Sequence, residues 1–152
     1  MAYATDTDVP VEKSRAEIER LLQRAGAEEF GSMLNTKSAI IAFRLRGKMV
    51  RFTLPLPNRN AEAFTHTPGR KKLRSEAEAH KAWEQGCRSR WRALCLCIKA
   101  KLEACETGIT TFESEFLAHF VIPGGKTYGE VAIPALEEAT KHGKMPQLML
   151  GS

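Results

Sequence analysis

The sequence predicts an α+β fold in which a small β-hairpin or sheet packs on a long central helix, with further helices at the N- and C-terminal ends. Three patterns carry this expectation. Apolar and polar residues alternate between Ala39 and Leu54, apolar residues recur at three- and four-residue steps between Glu76 and Glu106, and shorter helical stripes flank both stretches. A chain of 152 residues, 43% of them hydrophobic, has the size of one ordinary domain and can bury a core without disulfides.

Residues 1–10 read as an irregular, polar arm ending in Pro10, and residues 11–150 as the single domain. The first helix is expected over Glu12 to Ala25, with Ile18, Leu21, Leu22 and Ala25 on one stripe and Gly26 placed to end it. Ser14-Arg15-Ala16-Glu17 has the form of a capping box, and Pro10 fits equally well in an earlier first turn. Ala39 to Arg46 and Lys48 to Leu54 are rich in β-formers, with Gly47-Lys48 as the turn and Pro55 and Pro57 ending the second strand. This hairpin should have one apolar and one cationic face. Two strands alone are marginal in water, so it must pack on helices, pair with a further strand or meet a partner chain.

Asn58 to Ser75 reads as a long loop. The long helix follows from Ser75 or Glu76 to about Glu106, its apolar stripe made of Trp83, Cys87, Trp91, Leu94, Cys95, Ile98 and Leu102, and Gly108 closes it. Thr110-Thr111-Phe112-Glu113 restarts a shorter helix that buries Phe112, Phe116, Leu117 and Phe120. Pro123-Gly124-Gly125-Lys126 is a tight turn joining two short extended pieces, Phe120 to Ile122 and Thr127 to Ala132. A last helix is expected from Pro134 to Lys141, stopped by Gly143, and the apolar tail Met145 to Leu150 is expected to dock.

Charge is distributed unevenly along this plan. Fifteen of the twenty-three Lys and Arg residues lie between Arg44 and Lys101, against only Glu62, Glu76, Glu78 and Glu84, so this stretch carries +11 while residues 1–43 and 102–152 carry −2 and −4. A basic centre between acidic flanks is the footprint of a surface that meets polyanions, most often nucleic acid; the alternative is a solvated cationic face. The residues placed on phosphates are Arg44, Arg46, Lys48 and Arg51 of the hairpin, Arg70, Lys71, Lys72 and Arg74 of the loop, and Arg88 and Arg92 of the long helix. Arginine offers phosphate a planar fork of donors, and contacts of this kind carry little base specificity. About six such contacts give a log–log salt slope of roughly −5 on duplex DNA.

Other chemistries find less support. Cys87, Cys95, Cys97 and Cys105 match no zinc or redox spacing and are expected to be reduced, buried apolar residues. Trp83 and Trp91 are possible stacking platforms for bases, yet their place on the helix stripe favours core packing. Glu103, Glu106, Glu113, Glu115 and His119 lie close in sequence, and a metal-dependent nuclease would need such carboxylates to converge; capping and solubility are the favoured account of them. No catalytic residues, metal ligands or cofactors are assigned. No phosphate-binding glycine loop or nucleophile motif is present. No apolar run is long enough for a membrane span and no leader is visible, which predicts a soluble protein of the cytoplasm.

Val9 to Glu19, Val50-Arg51-Phe52-Thr53-Leu54-Pro55-Leu56-Pro57, Trp91-Arg92-Ala93-Leu94 through Ile98 to Glu103, and Gly108 to Glu113 together resemble a family of small uncharacterised proteins carried by bacteriophages and prophage-like elements. The resemblance spans nearly the whole chain and implies a bacterial host cytoplasm. The order of elements is also compatible, by fold-level analogy, with the small modules of single-strand annealing proteins. The expected function is that of a non-enzymatic nucleic-acid-binding accessory protein in phage replication, recombination or repair, with DNA preferred to RNA. The alternative is a protein-interaction module that inhibits a host nucleic-acid-handling or defence enzyme.

Overall fold

A computed structural model describes residues 4–145, in which three antiparallel strands lie against a 31-residue helix. Helix α1 spans Val11–Arg24, beginning directly after Pro10. The Ser14 capping box is therefore not used: Ser14 sits one turn inside the helix and is fully buried. Proline's fixed φ and missing N–H suit a helix start, and here they set the boundary.

Strand β1 (Glu29–Leu34) was not foreseen, because Glu29-Phe30-Gly31-Ser32-Met33-Leu34 contains no β-branched residue and has a glycine. It pairs with β2 (Ser38–Leu45), which pairs with β3 (Lys48–Pro55), giving the order β1-β2-β3. The need of the hairpin for a further strand is met in this way. The β2–β3 turn is Arg46-Gly47 rather than Gly47-Lys48: Leu45 faces Lys48, and φ is +51° at Arg46 and +78° at Gly47. Two left-handed residues in a two-residue loop match the right-handed twist of the strands. On the inner face Ala39, Ile41, Phe43, Leu45, Val50 and Phe52 are buried.

The 58–75 segment is not a bare loop. It contains a helical turn, α2 (Glu62–Thr65), and a bridge between His66 and Leu73. Helix α3 (Glu76–Glu106) is capped by Ser75, whose side chain accepts from the Glu78 N–H, and its buried residues Cys87, Trp91, Leu94, Cys95 and Ile98 are those of the expected stripe. Cys97 departs from expectation: it is exposed, 200° around the helix from Cys95 at 100° per residue, while Cys105 is half-buried. All four cysteines are free.

Helix α4 (Phe112–Phe116) starts from Thr111, whose side chain accepts from the Ser114 N–H, and runs into a 3₁₀ turn, Leu117–His119. Phe112, Phe116 and Phe120 are buried, but Leu117 is not: it follows the exposed Glu113 by four residues and lies on that side, about 100° around from Phe116. The tight turn at Pro123 is present, bridged by Val121 and Thr127. After it the chain is helical, not extended: α5 spans Tyr128–His142, with a capping box between Thr127 and Glu130 and a left-handed Gly143 at its end. Pro134 lies within this helix rather than at its first turn. Gly129 lets α5 seat against the 3₁₀ turn, since a Cβ there would stand 2.8 Å from the Ala118 carbonyl oxygen. Apart from Met145, which is exposed, the apolar tail lies outside the described residues.

One core joins α1, the sheet, α3 and α4 through Ile18, Leu22, Phe43, Trp91, Ile98 and Phe116. Phe116 meets Phe43 and Phe52 edge-on, with centroids 6.2 Å away in each case. Among the described residues no helix is long and apolar enough to cross a membrane.

Candidate nucleic-acid interface

The ten cations expected on phosphate fall into separate groups. Helix α3 is about 45 Å long at 1.5 Å per residue. The basic loop, closed by the His66–Leu73 bridge, leads into its N terminus, whereas Arg46 of the β2–β3 turn shares a cleft of about 460 Å³ with Leu102, Cys105 and Glu106 near its C terminus. The hairpin and loop cations therefore do not form one continuous patch.

Several of the ten serve the fold. Arg92 pairs with Glu17 of α1, and the two side chains are 22% and 25% exposed. Arg88 donates from Nε and Nη2 to Gln85 Oε1, and Gln85 Nε2 donates to the Thr5 and Thr7 carbonyls, so this pair ties the N-terminal arm to α3. Arg74 donates to the Ala63 and Phe64 carbonyls at 3.1 and 3.0 Å, closing the loop over α2. On the outer sheet face Arg51 bonds the Gly125 carbonyl and Glu130, and Arg44 lies 3.6 Å from Glu29. Two of the four cations expected on the hairpin, Arg44 and Arg51, are thus matched by carboxylates.

Arg46, Lys48, Arg70 and Lys72 have no carboxylate partner among the described residues, and Lys71 has one loose, exposed contact of 3.7 Å with Glu62. Arg46 and Lys48 lie over the rings of Phe112 and Phe120. Arg70, Lys71 and Lys72 form the tip of the basic loop, and the backbone there is fixed. The Thr67 N–H donates to the Lys72 carbonyl at 2.8 Å, the Lys72 N–H donates to Thr67 Oγ1 at 2.9 Å, and the Lys71 N–H donates to the Thr67 carbonyl at 3.1 Å. Lys71 has φ +52°, a left-handed conformation that costs a residue with a Cβ about 1–2 kcal/mol. The turn thus holds three consecutive cations outward in spite of their mutual repulsion.

Arg59 is a cation that sequence reasoning did not single out. It lies over the Trp83 ring, 5.9 Å from its centroid, beside a cleft of about 870 Å³ lined by Val11, Leu34, Leu56, Trp83 and Trp91. Its only sequence signal was its place just after Pro57. Trp91 is buried as expected, whereas Trp83 is half-buried with Nε1 donating to the Pro57 carbonyl.

The acidic stretch does not converge. Glu103, Glu106 and Glu113 are exposed, Glu115 pairs with Lys101, and His119 stacks on Phe52 with centroids 4.0 Å apart. Burial, and secondarily Lys101, lowers the His119 pKa below the ordinary histidine value. Burial also pushes the Cys95 thiol up to about 11, with Glu17 adding to the shift. Among the described residues no three His, Cys, Asp or Glu side chains are grouped so as to hold a metal ion. Comparisons with models of protein families, with curated proteins and with solved structures find no match.

Proposed function

We propose that this chain is a non-enzymatic nucleic-acid-binding accessory protein, of the phage type its sequence resembles, acting on DNA in replication, recombination or repair in a bacterial cytoplasm. The observation that carries the reading is the 67–72 turn. A backbone closed by its own hydrogen bonds presents Arg70, Lys71 and Lys72 together, and one of them is held in a costly conformation. Such strain persists where the surroundings over-determine it, and it is concentrated at binding sites. A preformed cationic turn loses little further entropy on meeting a phosphate backbone. Arg46 and Lys48, at the far end of α3, are suited to a second contact along an extended strand.

Fluorescence anisotropy with labelled single-stranded DNA, duplex DNA and RNA, between about 50 and 300 mM salt, tests the reading, because counterion release moves affinity by decades over that range. Replacing Arg70, Lys71 and Lys72 by Gln should weaken binding to all sequences and flatten the log–log slope by about 2–3. Arg74 is left intact in this variant because it holds the loop. No binding of the native chain at the lowest salt, or unchanged affinity in the triple variant, would reject the proposal.

A second reading is favoured by Leu73, which is 76% exposed directly beside the three cations. Phosphate contacts leave such a side chain unused, whereas an acidic host protein with an apolar pocket would use it. On that reading Leu73→Ser abolishes capture of the partner, and DNA affinity is negligible throughout.

A further inference from the structure

We infer that β1 is a self-association edge through which two copies of this chain join their sheets into one of six strands. The inference is independent of nucleic-acid binding and starts from the hydrogen-bond pattern of the sheet. The Asn35 N–H donates to the Ser38 carbonyl, and Leu56 N–H to that of Lys37. With the observed register, the bonded pairs of β1 and β2 are then Met33 with Ile40, Gly31 with Ala42 and Glu29 with Arg44. The N–H and C=O groups of Phe30, Ser32 and Leu34 consequently point away from β2, to the open side of the sheet.

Nothing among the described residues pairs with that side. The opposite edge is treated differently. The Val121 N–H donates to the Met49 carbonyl and Val50 bridges Phe120, so β3 is partly covered. Exposed edges in natural proteins are usually guarded by lysine, proline, a bulge or a covering segment. Strand β1 has no lysine and no proline; its one irregularity is at its start, where the Glu28 N–H also bonds the carbonyl of Arg44, the partner of Glu29, and from Phe30 to Leu34 the register is regular, with Met33 exposed at 66% and Leu34 at 62%.

The side chains favour a second copy over an unrelated strand, because the edge is self-complementary in one register. An antiparallel pair keeps each residue opposite one on the same face. Any twofold register centred on a residue meets that condition with outward-pointing groups aligned, and the two centred on the middle of β1, at Gly31 and at Ser32, pair the most residues. Centring on Gly31 sets Glu29 against Met33, a charge against an apolar side chain. Centring on Ser32 sets Phe30 against Leu34 twice on the inner face and Gly31 against Met33 twice on the outer face, so that both exposed apolar residues of each copy are covered. The second register has no charged residue within the paired segment and places the two Ser32 side chains against each other on the axis.

Sedimentation velocity across roughly the micromolar to hundreds-of-micromolar range, where edges of modest area associate, should show a monomer passing to a dimer with increasing concentration. Ser32→Lys and Ser32→Asp each set like charges across the axis and should each remain monomeric, while an equimolar mixture of the two should recover the dimer through the opposite-charge pair. Both variants sit at an exposed position and should keep the native circular dichroism spectrum, which checks that they fold. A native chain that stays monomeric at the highest concentration, or a dimer unaffected by Ser32→Lys, would overturn the inference. So would a mixture that does not recover association.

Discussion

Arg92 on α3 donates to the carboxylate of Glu17 on α1, seventy-five residues earlier in the chain, and this ion pair stands at the contact between the two helices. The hydrogen bond from Arg92 holds the Glu17 carboxyl below its ordinary value, against the opposing effect of its partial burial. A depressed carboxylate pKa contributes stability that is complete above the unfolded value and is lost as pH falls through the folded one. Arg92→Ala should destabilise the fold by about 1–3 kcal/mol, since it leaves a three-quarters-buried carboxylate without its partner. In Glu17→Gln the acid-side loss of stability should be smaller than in the native chain. Urea unfolding between about pH 7 and pH 3 measures both effects.

Ser14 supplies a prediction of opposite sign. Its hydroxyl is fully buried in α1 and has no hydrogen-bond partner. An unpartnered buried hydroxyl costs about 1–3 kcal/mol, and alanine is also the better helix former. Ser14→Ala should therefore raise stability by about 1 kcal/mol. A lower melting temperature in this variant would show that the hydroxyl is satisfied in solution.

His119 couples stability to mild acid. Its folded pKa is lowered, chiefly by burial against Phe52 and next by Lys101, with a backbone contact near Arg51 opposing the shift. The unfolded chain takes up a proton before the folded one does, so stability is complete above the ordinary histidine pKa of about 6.5 and falls as pH drops toward the folded value. The slope is at most about 1.4 kcal/mol per pH unit for one proton. His119→Gln should remove this slope between about pH 6.5 and pH 5, and titration of the imidazole by NMR should give a midpoint below that of a free histidine.

Where a pattern was local and periodic, the sequence sufficed. The apolar stripe of α3, its start at Ser75 or Glu76 and the alternation in β2 and β3 each follow from residues within a few positions of one another. The basic composition of residues 44–101 was equally plain. Local signals failed where two of them competed. Pro134 suggested a helix start, but the reciprocal cap of Thr127 and Glu130 began α5 six residues earlier. Ser14 and Glu17 suggested a cap, but Pro10 had already started α1, which left Glu17 one turn further along and facing Arg92.

The sequence by itself determined an α+β chain with a long amphipathic helix, an adjacent hairpin and a strongly cationic middle third. Only the tertiary structure decided which cations are free. Arg74, Arg88 and Arg92 look the same in sequence as Arg70 and Lys72, yet the first three spend their donors on carbonyls, an amide and a carboxylate brought near by folding. It also decided that β1 exists and that its outer side is open. A strand of weak propensity forms when a neighbour supplies its hydrogen bonds, and that neighbour is fixed by the packing of the whole sheet rather than by the six residues of β1.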